Sequence, residues 1–260
     1  GNNIASSLFC NNCTFNAKKF VAGTYPVSLV ISSYSNFTYV GLQNNTISRL
    51  NTLGVVEDSY IGTQYGLQDI ASMALDASFN MYVLNKNTNS SGFSTNGYLT
   101  KITLEDEVIS ATNIITSIDN PIDIVYDTID NTYIYILSGN TPDVRITRYS
   151  LLETDIPGSA LVLPIEFGSI YDPQGICVDE NVPGQKIMYI TNTNQNNVFE
   201  VKRLFLANYQ SVPIYTLDVI ATLEYKGFKI VNKNDGKLYI ANKENHAISV
   251  FYIPDVVYVH

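Results

Sequence analysis

The chain has 260 residues, 45 % hydrophobic but only 15 % charged, with a formal net charge of −9. A substantial core can form, and with charge so far below the usual quarter the surface must be covered by neutral polar groups. The acidic balance and the lack of Lys/Arg runs exclude a phosphate-neutralising nucleic-acid surface and docking to anionic lipid, and no apolar run reaches the ~20 residues that span a bilayer.

Residues 1–23 come first. Cys10 and Cys13 form a C-x-x-C in "FCNNCTF". No second pair and no following His accompany it, which excludes a four-cysteine zinc site and covalent haem attachment. The expectation for Cys10 and Cys13 is a local disulfide or a simple structural pair, ahead of metal or redox work. The segment is too short for a full repeat, but "KKFVAG" (18–23) can supply one outer strand of the last repeat, a place for which "VVYVH" (256–260) competes.

From residue 24 to 260 short apolar runs alternate with polar turns. "PVSLVIS" from Pro26 leads to "TYVGL", a turn at Asn44–Asn45 and "TISRL". "IASMALD", ending at Asp76, leads to "MYVLNKN", a long insertion from Asn87 to Tyr98, and "LTKITL". "PIDIVYD", ending at Asp127, leads to "IYILSGN", "VRITRY" and "ALVLPI". "PQGICVD", ending at Asp179, leads to "MYITNTNQNNVFEV" and "VIATLEY". "KGFKIVN" leads to "LYIANKENHAISVF".

These are copies of one unit. Tyr39, Tyr82, Tyr135, Tyr189 and Tyr239 mark its phase, at spacings of 43, 53, 54 and 50 residues. Each tyrosine run follows another apolar run across a short turn, which is a hairpin signature. Alternation in "VRITRY" and "VFEVKRL" fits half-buried strands, and β-branched and aromatic residues dominate where helical periodicity is weak. Asn-rich stretches such as Thr191 to Asn197 fall between the second and third strands, where Asn tolerates left-handed backbone angles and caps its own turn. One such sheet cannot cover both its faces alone, so sheets must stack. The expected fold is therefore all-β, a β-propeller of four-stranded antiparallel blades, with five blades and six as the alternative.

"YITNTNQNNVFEV" and "YIANKENHAISVF" resemble the YVTN-type surface-protein propeller repeat, and "PQGICVD" before a tyrosine strand is similar to the NHL-type repeat. The resemblance covers most of residues 24–253. It implies the propeller fold, and little about chemistry, because both families are defined by architecture.

Asp76, Asp127 and Asp179 end equivalent innermost strands, so symmetry places them on one face. They could hold a cation such as Ca²⁺, as a lactonase-like propeller requires, with Glu57 and Asp58 in a connection nearby, or they could cap the turns that follow them. His246 sits in a turn and His260 ends the chain, so a three-His zinc centre is excluded and no Ser/His/Asp triad is supported. Cys177, in "GICVD", reads as a small core residue. Sequons at Asn12, Asn36, Asn44 and Asn89 permit glycosylation. Tyr60, Tyr65, Tyr98 and Tyr209 fall in connections and, beside Asn and Ser, suit adaptable recognition, although a Trp-free chain lacks the favoured sugar platform. The expected function is a non-enzymatic, extracellular propeller acting as a structural or interaction module of a cell surface, filament or virion. It would bind protein partners or self-assemble, with the Asn87–Tyr98 insertion as a contact loop. The alternatives are a metal-dependent lactonase-like hydrolase and a glycan-binding propeller.

Overall fold

The computed structural model describes residues 25–32, 37–88, 96–104, 110–128, 131–151, 158–163, 168–179, 186–207, 214–233, 236–242 and 247–253. These residues form five antiparallel sheets, the blades of a five-bladed β-propeller. Blade one holds β1 (Pro26–Ile31), β2 (Thr38–Leu42), β3 (Thr46–Leu50) and β4 (Val56–Ile61), followed by one helical turn, α1 (Gly62–Tyr65). Blade two holds β5 (Ile70–Leu75), β6 (Asn80–Asn85), β7 (Gly97–Thr103) and β8 (Ser110–Ile118). Blade three holds β9 (Pro121–Tyr126), β10 (Tyr133–Asn140), β11 (Asp143–Ser150) and β12 (Gly158–Val162). Blade four holds β13 (Asp172–Asp179), β14 (Lys186–Thr193), β15 (Phe199–Ala207) and β16 (Ile214–Leu223). Blade five shows β17 (Gly227–Lys233), β18 (Lys237–Asn242) and β19 (Ala247–Tyr252) among the described residues. In every blade the strands pair in chain order as a meander. Residues 18–23 and 256–260, the two candidates for closing the last blade, lie outside the described residues.

The chain forms two compact units, one carrying blades one to three and the other blades four and five. In the first unit β1, β5 and β9 run side by side as the innermost strands; in the second, β13 lies beside β17. The expected stacking is visible in strand β6. Met81 and Val83 enter a core shared with Tyr39, Ile47 and Met73 of blades one and two. Their neighbours Tyr82 and Leu84 enter the next core, with Ile124, Tyr126, Ile134 and Ile136 of blade three. Period-2 alternation thus feeds two cores from one strand, and each fully buried large apolar side chain contributes about 1.5–3 kcal/mol. In the second unit Ile187, Tyr189 and Val201 of blade four pack with Ile230, Leu238 and Ile240 of blade five, and Cys177 belongs to the same cluster.

One regular feature had no sequence signal. All five innermost strands carry a bulge at the same place, between Pro26 and Ser28, Ile70 and Ser72, Pro121 and Asp123, Pro173 and Gly175, and Gly227 and Lys229. In blades one, two and four the residue after the bulge lies against the next inner strand. The Met73 amide donates to Ser28 Oγ at 3.0 Å. The Ser72 hydroxyl donates to Asp123 Oδ1 at 2.6 Å. At Gly175 a Cβ would stand 2.9 Å from the Phe228 carbonyl oxygen and 3.2 Å from Lys229 Cα, so the close approach of β17 leaves room for glycine only.

Candidate functional site

The three inner-strand aspartates turn their carboxylates into their own blades. Asp76 Oδ1 accepts from the Ser78 and Asn80 amides, both at 2.8 Å. Its Oδ2 accepts from Asn80 Nδ2 at 2.8 Å and from the Tyr82 hydroxyl at 3.0 Å. Asp127 Oδ2 accepts from Tyr135 at 3.4 Å, and the backbone of Asp127 receives Asn131 N at 2.9 Å and donates to Tyr133 O at 3.0 Å. Asp179 Oδ2 accepts from Tyr189 at 3.1 Å. The phased tyrosine and the strand-ending aspartate therefore form one repeated pair. Asp127 and Asp179 are buried, where a carboxylate needs hydrogen-bond donors. Among the described residues no three His, Cys, Asp or Glu side chains gather as a metal centre requires.

Burial and the facing carboxylate push the Tyr82 and Tyr189 hydroxyls well above the ordinary tyrosine range. In blade one the partner differs. Tyr39 stands across the strand pair from Arg49, and burial raises its pKa while the Arg49 cation opposes the rise. Arg49 in turn faces Asp58 at 3.9 Å. Blade four repeats this row outward from Tyr189 through Arg203 to Asp218, which Arg203 holds with both guanidinium arms.

A second repeated device lies three residues after the tyrosine. Asn85 Oδ1 accepts the Gln68 amide at 3.0 Å, and Asn85 Nδ2 donates to Thr100 Oγ1 at 3.1 Å. Asn192 Oδ1 accepts the Tyr171 amide at 2.9 Å, and its Nδ2 donates to Glu200 Oε1 at 2.7 Å. Each buried Asn ties the loop before the inner strand to the third strand. Asn242 keeps the donor half, to Ser249 Oγ at 2.7 Å. The turn asparagines act as expected. Asn194 Oδ1 accepts the Asn196 and Val198 amides at 2.9 and 3.1 Å, and Asn45, Asn87, Asn120, Asn131 and Asn197 have positive φ.

Some expectations are displaced. Glu57 and Asp58 lie within strand β4, not in a connection, and are exposed. Tyr60 and Tyr98 are strand residues of β4 and β7, and Tyr65 ends α1. Tyr98 donates to the Gly66 carbonyl at 2.8 Å, and Asn87 Nδ2 donates to the Asn96 carbonyl at 3.2 Å, so the base of the insertion is anchored while residues 89–95 lie outside the described residues. Asn44 is exposed in the β2–β3 turn. Cys10, Cys13, Asn12, Asn36, Asn89, Tyr209, His246 and His260 also lie outside the described residues.

No family model matches the chain. No curated protein matches its sequence. Solved structures do resemble it in fold. The β-propeller domain of Cps50 (Swd1) from Myceliophteria thermophila superimposes with a TM-score of 0.58 at 10 % identity, over 91 % of this chain and 69 % of that one. The Dos1 propeller gives 0.52 at 13 % identity, over 88 % of this chain and 55 % of that one. At such identities the likeness is one of fold, and it places the chain among the β-propellers.

Proposed function

We propose that this propeller is a non-enzymatic, extracytoplasmic module of a cell surface, filament or virion, built on YVTN/NHL-like repeats and working through protein partners or self-assembly. The observation that carries the reading is the fate of the inner-strand carboxylates. Asp76, Asp127 and Asp179, the best candidates for a cation site, are engaged by the tyrosines and turns of their own blades. The low charge and the exposed sequon residue Asn44 suit a secreted surface.

Three measurements test it. Titration calorimetry with Ca²⁺ and Zn²⁺, with lactone hydrolysis assayed in parallel, is expected to show neither binding nor turnover. Stoichiometric cation binding that vanishes in Asp127→Asn or Asp179→Asn would replace this reading with the lactonase-like one. Expression in a glycosylating secretory host is expected to give a glycosidase-sensitive species that Asn44→Gln diminishes. A glycan array separates protein recognition from sugar recognition.

A further inference from the structure

The β3–β4 turn of blade one and the first residue of β4 present three large apolar side chains within four residues. Leu53 is 76 % exposed, Val55 44 % and Val56 50 %. Single exposed apolar residues are ordinary on a soluble surface, whereas a contiguous cluster marks a contact. This cluster is held rigidly. Asn51 Oδ1 accepts the Leu53 and Val55 amides, both at 3.0 Å. The Asn51 amide donates to the Val55 carbonyl at 3.0 Å, and Gly54 N, in a left-handed conformation, donates to the Asn51 carbonyl at 2.8 Å. Asn51 Nδ2 then donates to Glu57 Oε1 at 3.0 Å. A turn already fixed in shape loses little freedom when it docks.

The charge around it selects the partner. Glu57 and Asp58 follow directly on β4 and are exposed; Arg49 lies 3.9 Å from Asp58 and only partly offsets the pair. A second copy of this chain, at −9, and an anionic bilayer would both bring like charge to this face. The ladder is also interrupted here: a bulge between Arg49 and Leu50 leaves Glu57 without a cross-strand partner. Bulges discourage edge-to-edge strand pairing, so recognition falls on side chains.

We propose that Leu53, Val55 and Val56, with Glu57 and Asp58, form a docking knob for a protein partner offering an apolar pocket rimmed by Lys or Arg. This rests on the interaction-module reading and adds the surface and the partner's chemistry. The probe is a fluorescent peptide with a Leu/Val centre flanked by arginines, read by anisotropy against the same peptide flanked by glutamates. The wild-type chain is expected to bind the basic peptide in preference, and less strongly at high salt. Leu53→Glu/Val55→Glu is expected to weaken binding by about tenfold or more, and Glu57→Lys/Asp58→Lys to reverse the preference. Leu53 and Val55 face solvent, so the Leu53→Glu/Val55→Glu variant should melt as the wild type does. Equal binding by the Leu53→Glu/Val55→Glu variant, or no preference between the peptides, overturns the knob and leaves the interaction reading standing. Metal-dependent lactone hydrolysis would instead remove the interaction reading, whatever the peptides do.

Discussion

Tyr82 and Tyr189 each bury a ring between sheets, Tyr135 is fully buried, and Tyr82, Tyr135 and Tyr189 send their hydroxyls to Asp76, Asp127 and Asp179 of their own blades. Removing the hydroxyl leaves a buried carboxylate short of a donor. Tyr189→Phe is expected to cost about 1–3 kcal/mol in urea unfolding; an unchanged midpoint would show that Asp179 is satisfied without it. The pair also sets an alkaline limit. Tyr82 and Tyr189 have folded pKa values raised first by burial and then by the carboxylate. Their contribution is complete below the unfolded value, about pH 10, and declines as pH rises above it, because the unfolded chain releases its protons first. Phenolate absorbance from these two rings should appear together with unfolding above about pH 10, and Tyr82→Phe/Tyr189→Phe should flatten that alkaline fall. The phase of the tyrosines and the turn chemistry of the asparagines were legible because both recur along the chain. The hydroxyl–carboxylate pairing was not, since it joins strand ends whose register only folding sets.

At the scale of strands, the two ties made by Asn192 hold a loop, a second strand and a third strand together. Asn192→Ala would take an acceptor from the Tyr171 amide and a donor from buried Glu200, at a cost of about 1–3 kcal/mol, visible as faster hydrogen exchange at Tyr171 than in the wild type. Gly175 tests the fit between blades four and five. Its alanine would press on the Phe228 carbonyl, and Gly175→Ala is expected to lower stability by about 1–3 kcal/mol; a neutral result would mean that β17 yields. The hairpins were readable from alternation and turn residues, but the five matched bulges were not, because a bulge is a property of a pair of strands. Glu57 and Asp58 read as a connection because adjacent acids are poor strand formers. They sit in β4 because an outermost strand is solvated and tolerates charge.

For the whole molecule, the fold class followed from the requirement that sheets be covered by stacking, and the blade number from the five phased tyrosine runs. Function was far less legible: the same Asp spacing suits a cation ring and a set of turn caps, and only the direction of the carboxylates separates them. The surface is governed by sparse charge. With a pI near 4.6, the chain is expected to lose solubility sharply about that pH, where repulsion between molecules vanishes; light scattering across a pH series would detect it, and a flat profile would mean that some other force keeps the molecules apart.

In β6, Met81 and Tyr82 are consecutive in the chain yet belong to different neighbourhoods. Damage to one should loosen blade one, and damage to the other blade three. Such a strand is a hinge-pin common to two doors. Duplication or loss of whole repeats would keep every pin seated, whereas a cut inside a repeat would leave one hanging, so descent by copying entire blades is the route this architecture leaves open.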